Sequence, residues 1–87
     1  MNPPKRMLVV AMANRIEGLR VAVGLTMADA PLQVAVWGEL PDDEAATPQL
    51  EALAFGDVPV QALPAGDAAS WDALARQIVD SDIVYCV

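Results

Sequence analysis

The sequence contains no histidine and a single cysteine, Cys86. Without histidine, the chain lacks the imidazole used in most acid–base catalysis, in His-activated nucleophiles and in most zinc sites. One cysteine cannot form a disulfide within the chain, which is typical of a cytoplasmic protein. We therefore expect a cytoplasmic protein with no metal site, and no motif implies a cofactor.

Basic residues are also scarce, with five Lys and Arg against twelve Asp and Glu and a net charge of −7. Beyond Asp29 the only base is Arg76. Phosphate backbones need a basic surface, so we expect no nucleic-acid partner. No apolar run approaches the roughly 20 residues that span a bilayer, and the start of the chain is too short for a signal peptide, so we expect no membrane segment.

Apolar residues are abundant for so short a chain. They make up 55% of the 87 residues, and the mean hydropathy is +0.36. A small domain leaves a large share of its surface in water, so it cannot easily hide this much apolar surface alone. The composition therefore predicts that part of the surface is covered by another chain, in a homo-oligomer or a hetero-oligomer.

A β-turn-α pattern opens the chain and then repeats. The apolar run over residues 7–12 does not alternate, which indicates a strand covered on both faces, and it leads into a helix with Asn14 as N-cap and Glu17 three residues later. After an extended lead-in over 1–5, we predict strands over 6–11, 32–37, 58–63 and 83–87. Between them we predict three helices, capped by Asn14, Thr47 and Asp67, the second over 48–54 and closed by Gly56.

Strands separated by helices predict an α/β fold with right-handed crossovers. We expect a single domain over 1–87, a four-stranded parallel sheet with helices on both faces and a flavodoxin-like strand order of 2-1-3-4. The alternating pattern of the second strand favours a place at the sheet edge. In such sheets ligands bind at the carboxyl ends of the strands, which would bring residues 13–15 near residues 63–65.

Asn14 and Arg15 are the candidate ligand-binding residues. Free N–H groups at a helix start favour an anion or a nucleotide. However, residues 13–18 match neither the P-loop nor the dinucleotide fingerprint. Capping by Asn14 with a solvated Arg15 is the alternative interpretation.

Two helices carry apolar stripes on a 100° wheel. On the first, the stripe predicted to face the sheet is Ile16, Leu19, Val23, Thr26 and Met27. Val21 and Leu25 fall nearly opposite, either as scattered exposed side chains or as a subunit interface. On the third helix the predicted buried stripe is Trp71, Leu74, Ala75 and Ile78, with Trp71 as a core anchor.

Two further features have alternative interpretations. Cys86 is either a buried structural residue or a redox or sulfur-carrying thiol, and its acidic neighbours Asp80 and Asp82 disfavour a thiolate. The acidic residues at 42–44 suit a hard cation by chemistry, but they lack the spacing of a calcium loop, so a solvated loop is the simpler interpretation.

The layout resembles the small DsrE/DsrF/DsrH-like proteins of sulfur relay and sulfur oxidation. One resembling stretch is the strand over 6–11 with the helix over 18–28 and the strand over 32–37. The other is the closing helix and strand over 74–85. Together they cover about half of the chain, and both are hydrophobic patterns rather than catalytic signatures.

The resemblance implies an oligomer-forming protein of sulfur metabolism. Sulfur-carrying members place a cysteine just after the middle strand, which corresponds here to residues 62–64, where none is present. The acidic segment over 41–48 is also shorter than in fuller members. The resemblance thus implies a non-catalytic structural subunit, and a persulfide carrier using Cys86 or a small anion-binding module are the alternatives.

Overall fold

The computed structural model describes residues 5–28 and 30–87. Strands and helices alternate along the chain in the order β1, α1, β2, α2, β3, α3, β4. Their bounds are β1 Met7–Ala11, α1 Arg15–Leu25, β2 Leu32–Trp37, α2 Thr47–Phe55, β3 Val60–Leu63, α3 Ala68–Asp80 and β4 Ile83–Cys86. The predicted lead-in over 1–5 falls almost wholly outside the described residues.

The four strands form one parallel sheet, with helices on both faces, which confirms the predicted α/β class. The strand order is β3-β2-β1-β4. The chain moves one way through β1, β2 and β3 and then returns to the other side of β1, so the fold is doubly wound, as in flavodoxin-like proteins. Compared with the predicted order 2-1-3-4, the β1–β2 pair is the same, but β4 rather than β3 lies on the open side of β1.

The predicted edge position of β2 is wrong, because β2 pairs with β1 on one side and with β3 on the other. Its alternation has a different origin. The polar residue Gln33 faces α3, where the Nε2 of Gln77 donates to its Oε1 at 3.3 Å. Gln33 is therefore polar because it pairs with a partly buried amide, whereas its place in the sequence pattern predicted exposure to solvent.

Each face of the sheet has its own hydrophobic core. On the first face, Met7, Val9 and Ala11 of β1 pack in one cluster with residues of α1 and α2, including Leu19 and Leu53. On the second face, Leu8 and Val10 pack in another cluster with Leu63 and with Leu74 of α3. We call these two sides of the sheet the first face and the second face.

Helix α1 contacts the sheet through a glycine. Gly18 is buried over Ala11, and a Cβ built on Gly18 would lie 2.5 Å from the Cβ of Ala11. No real pair of carbons approaches so closely, so only glycine permits this helix–strand distance. The helix axis therefore runs unusually close to the carboxyl end of β1.

The packing of α1 confirms part of the predicted stripe, since Leu19 is buried and Ile16 and Val23 pack against the core of the first face. The buried stripe is Gly18, Leu19 and Ala22. Met27, predicted to face the sheet, is 88% exposed. Met27 lies beyond the end of α1 at Leu25, and within the helix the small residues Gly18 and Ala22 join Leu19 on the buried face, which permits the close approach to β1.

Helix α3 differs more strongly from its predicted orientation. Its buried residues are Ser70 and Leu74, while Trp71 is 58% exposed. Trp71 is therefore not a core anchor. It contacts Trp37 at the end of β2, with ring centroids 4.4 Å apart, so the two indoles shield each other at the surface.

Two of the three predicted caps are confirmed. Asn14 Oδ1 accepts a hydrogen bond from the N–H of Glu17, and Asp67 Oδ1 accepts one from the N–H of Ala69. The predicted cap Thr47 is wrong: α2 starts at Thr47, whose hydroxyl instead donates to the carbonyl of Asp43. Gly56 does end α2, but the left-handed conformation is taken by Asp57, with φ of 57°.

Candidate functional site

The carboxyl end of the sheet, between β1 and β4, is where a doubly wound fold places a ligand, since the strand order reverses there. In this protein the crevice is bridged by main chain. The N–H groups of Met12 and Ala13 both donate to the carbonyl oxygen of Val87, at 2.9 and 3.0 Å. Two donors that would otherwise be available to a ligand are thus engaged in joining the two strand ends.

Asn14 follows this bridge and begins α1. Its side chain accepts from the N–H of Glu17 at 3.1 Å, so its oxygen satisfies one of the free donors of the helix start. Glu17 itself lies in the first turn and forms an exposed ion pair with Arg20 at 3.0 Å. A carboxylate at this position competes with any anion for the helix start.

Arg15 reaches across to the loop that follows β2. Its Nη1 donates to the carbonyl oxygen of Glu39 at 2.8 Å. The same atom lies 3.5 Å from the Cβ that would be built on Gly38, whose φ of 97° suits glycine. Arg15 thus holds the β2–α2 loop beside the start of α1.

Asn14 and Arg15 are therefore side by side at the predicted edge of the sheet, but both side chains bond to the protein's own main chain. This geometry corresponds to the capping interpretation of the sequence. The ligand-binding assignment of these residues stays a prediction.

The second part of the predicted site lies elsewhere. Residues 63–65 follow β3, and β2 separates β3 from β1 in the sheet. The expectation that residues 13–15 and 63–65 flank one crevice is wrong, because it depended on β1 and β3 being neighbours. The loop that actually approaches Arg15 follows β2.

Cys86 lies near the carboxyl end of β4, paired in register with Val10 of β1. Its thiol is free and the residue is exposed, so the predicted buried structural role is wrong. The reason is that β4 lies at the opposite edge of the sheet from β3, where α3 packs on the second face, whereas the predicted order made β3 and β4 neighbours. The second face is thus left uncovered at β4.

Val21 and Leu25, the predicted interface residues, are half-buried and pack against the core of the first face. They do not lie opposite the sheet. The buried residues of α1 lie nearer to Val21 and Leu25 around the helix than the helical wheel predicted. Part of their apolar surface is covered within the chain by the core of the first face. Their role as an interface stays a prediction.

A larger apolar surface was missed by sequence reasoning. On α3, Trp71, Ile78 and Val79 are exposed, and Val79 is 82% exposed. Val84 of β4 is also exposed, and it lies on the second face because it pairs in register with Leu8. We call these four residues the α3–β4 surface.

A cleft of about 690 Å³ lies at the opposite, amino-terminal edge of the sheet. It is lined by residues at the starts of β1 and β2 and by the turns after α1 and α2, among them Arg6, Thr26 and Asp57. The hydroxyl of Thr26 donates to the carbonyl of Val23 at 2.6 Å. The cleft thus lies at the edge away from the carboxyl ends of the strands.

The acidic residues at 42–44 are exposed in the loop before α2. Among residues 5–28 and 30–87, no group of three His, Cys, Asp or Glu side chains is arranged to hold a metal ion. In the same part of the chain no helix is long and apolar enough to cross a membrane.

Comparison with known proteins gave no match to this chain among protein-family models, curated proteins or solved structures.

Proposed function

We propose that this protein is a non-catalytic, oligomer-forming DsrE-like subunit that binds copies of itself or related chains in sulfur transfer or sulfur metabolism. The observation that carries the proposal is the α3–β4 surface. Four large apolar side chains are exposed on α3 and on the second-face side of β4, namely Trp71, Ile78, Val79 and Val84. Exposed apolar clusters of this kind mark interaction surfaces.

The orientation of α3 supports association. The helix turns Ser70 and Gln77 toward the sheet and leaves Trp71, Ile78 and Val79 in water. Burying a large apolar side chain contributes about 1.5–3 kcal/mol, so a partner that covers these residues gains several such contributions. Three large apolar side chains of α3 are therefore left outside the core that Leu74 joins on the second face.

The groups at the carboxyl edge of the sheet support a subunit without catalytic turnover. Asn14, Arg15 and the main chain of residues 12 and 13 bond within the protein. The position after the middle strand, which carries the thiol in sulfur-carrying relatives of the resembled family, has Leu63 and Pro64 instead. A subunit that binds rather than reacts fits both facts.

The test is the mass of the particle in solution, by light scattering over a concentration series with a reductant that keeps Cys86 free. We expect a mass of at least twice the 9.2 kDa of one chain. Val79→Ser should weaken association, because it places a polar group on the α3–β4 surface. Phe55→Ser is the matched control, since Phe55 is 94% exposed at the end of α2, away from that surface. A particle of 9.2 kDa at every concentration would contradict the proposal.

The sulfur-metabolism part has a separate test. A purified persulfide-carrying DsrE-like subunit is mixed with this chain, and the mass of the mixture is measured. We expect a mixed particle that Val79→Ser weakens and Phe55→Ser does not. If the chain associates with itself but never with such a subunit, the self-association stands and the assignment to sulfur metabolism fails.

A persulfide carrier using Cys86 is the second candidate, favoured by the exposure of the free thiol. In the reaction, the Cys86 thiolate attacks the terminal sulfur of a donor persulfide. The donor S–S bond breaks, the donor leaves as a thiolate, and Cys86 becomes a persulfide. Mass spectrometry after incubation with a persulfide donor should then detect an adduct of one sulfur atom, absent in Cys86→Ser; an unmodified wild-type chain would exclude the carrier role.

A further inference from the structure

We infer that β4 is a docking edge for a second copy of this chain, which pairs with it antiparallel about a twofold axis and continues the sheet across a dimer. The inference rests on the proposed self-association and specifies its geometry. The α3–β4 surface indicates which side of the molecule the second copy covers. The main chain of β4 indicates how the two copies bind.

The open edge of β4 presents unused hydrogen-bonding groups. The N–H groups of Ile83 and Val87 donate to the carbonyls of Arg6 and Val10, at 3.1 and 2.9 Å. Because strand residues alternate in direction, Tyr85 also points its main-chain groups toward β1. The N–H and C=O groups of Val84 and Cys86 therefore point away from the sheet.

This edge lacks the features that normally prevent strand addition. Residues 83–87 contain no charge and no proline. At the other edge of the sheet, β3 begins directly after Pro59 and α3 packs against it. Prolines, charges and covering helices are the usual protection of an edge, and β4 has none of them among the described residues.

Charge favours this strand for contact between two identical chains. Each copy carries a net charge of −7, so most approaches of two copies bring like charges together. Residues 83–87 carry no charged side chain, so two copies meet there with less repulsion than at their acidic surfaces. A twofold axis also lets the same strand serve both copies, as in the commonest class of dimers.

The structure also selects the register. In an antiparallel pair about a twofold axis perpendicular to the sheet, opposed residues point to the same face, so the axis passes beside one residue, and only an axis at Tyr85 pairs the outward-pointing Val84 and Cys86 with each other. An axis at Val84 would require Asp82 to pair with Cys86 of the second copy. The N–H of Asp82 already donates to the carbonyl of Arg6 at 2.8 Å, so it points inward.

The axis therefore passes beside Tyr85. In this register Val84 exchanges main-chain hydrogen bonds with Cys86 of the second copy, and Cys86 does so with Val84 of that copy. Tyr85 faces Tyr85 of the second copy without a main-chain bond between them. Val84 and Cys86 meet on the second face, which continues the α3–β4 surface across the axis.

The first test removes main-chain donors from the open edge. Val84→Pro deletes an N–H that makes no bond within residues 5–28 and 30–87, whereas Val84→Thr keeps it and has nearly the same shape. The proline removes two hydrogen bonds per dimer, and at an ordinary net strength for each this weakens association about thirtyfold. Val84→Thr should retain the wild-type dissociation constant in sedimentation equilibrium.

The second test fixes the register without a proline. In a Cys86→Ser background, Tyr85→Cys places two thiols in a non-hydrogen-bonded pair, where Cα atoms are about 4.5 Å apart and a disulfide forms readily. Val84→Cys in the same background is the control, since its two thiols are offset along the strands beyond the roughly 7 Å limit. Mild oxidation should give a covalent dimer of the first variant only.

The outcomes separate this inference from the proposed function. If the wild-type chain associates but Val84→Pro associates equally well, or neither Tyr85→Cys nor Val84→Cys gives a covalent dimer, the edge pairing is wrong and association uses another surface. If Val84→Cys forms the covalent dimer and Tyr85→Cys does not, the register is wrong. A wild-type chain that stays monomeric overturns both the pairing and the proposed self-association.

Discussion

Replacing Gly18 by alanine tests the packing on which the position of α1 depends. The new Cβ would lie 2.5 Å from the Cβ and 2.9 Å from the Cα of Ala11. Ala11 is fully buried in the middle of the core on the first face, so neither atom can move without the strand or the helix moving too. Overpacking of this kind costs about 1–3 kcal/mol.

A gain in helix propensity opposes that cost. Alanine in a helix interior is favoured over glycine by up to about 1 kcal/mol. The steric term is larger, since a main-chain shift is required, and we expect Gly18→Ala to lower the free energy of unfolding by about 1–2 kcal/mol. For a domain of this size each kcal/mol corresponds to roughly 4–8 °C in the melting temperature.

Gly24→Ala is the matched control. Gly24 is in the same helix, is exposed, and has nothing within 4 Å of an added Cβ. It should therefore stabilise the protein, by a few tenths to about 1 kcal/mol. Urea unfolding followed by circular dichroism measures both variants, and opposite signs are expected.

A double-mutant cycle localises the clash. Ala11→Gly removes the nearer of the two atoms, so Gly18→Ala should cost less in the Ala11→Gly background than in the wild type. If Gly18→Ala instead stabilises the protein as Gly24→Ala does, the close approach of α1 to β1 is refuted. Additive effects of the two substitutions would place the strain elsewhere.

The order of elements could be predicted because it depends on local signals. The continuous apolar run of β1, the Asn14 cap and the Asp67 cap are each determined by residues within one turn or strand. Boundaries of β2 were predicted to the residue, since Pro31 and Gly38 flank an uninterrupted run. These signals survive in the fold because tertiary packing does not compete with them.

Strand order and helix rotation could not be predicted, because they depend on pairwise fits across the sheet. Gly18 orients α1 through its missing side chain, which a hydrophobic wheel counts as neutral. The polar side chain of Gln33 is accommodated in an interior strand because the amide of Gln77 on α3 donates a hydrogen bond to it. The exposure of Cys86 then followed from the strand order, so a single unpredicted pairing altered the interpretation of the candidate site.

Other perturbations have defined outcomes. Asn14→Ala should cost about 1 kcal/mol of stability in urea unfolding, because the N–H of Glu17 loses its acceptor, while Asn14→Asp should not. Glu17→Gln should change stability by less than about 0.5 kcal/mol, since its ion pair with Arg20 is exposed, and a larger loss would mean that the pair does more than the geometry indicates. Gln77→Leu should lower the free energy of unfolding by about 1 kcal/mol, because the partly buried Oε1 of Gln33 loses its amide donor; an increase would show that the buried Oε1 of Gln77, which has no donor among the described residues, costs more than these contacts contribute. Raising the salt concentration from 0.01 to 0.15 M should tighten self-association in sedimentation, since screening reduces repulsion between chains of net charge −7, and weaker association at high salt would point to an ion-paired contact instead.

The orientation of α3 on the sheet determines which of its side chains form the α3–β4 surface. Gln77 bonds to Gln33 and Gln61 on the two strands beneath it, at 3.3 and 3.5 Å, so these amides hold the polar side of the helix against the sheet. Were α3 rotated to bury Trp71 and Ile78 instead, the amides of Gln33 and Gln61 would face apolar side chains and lose their partner. The polar residues of β2 and β3 thus fix the helix in the orientation that leaves its apolar stripe exposed. An apolar replacement at both strand positions should therefore favour the rotated helix, and a fall in Trp71 exposure to a collisional quencher together with weaker self-association would be its signature.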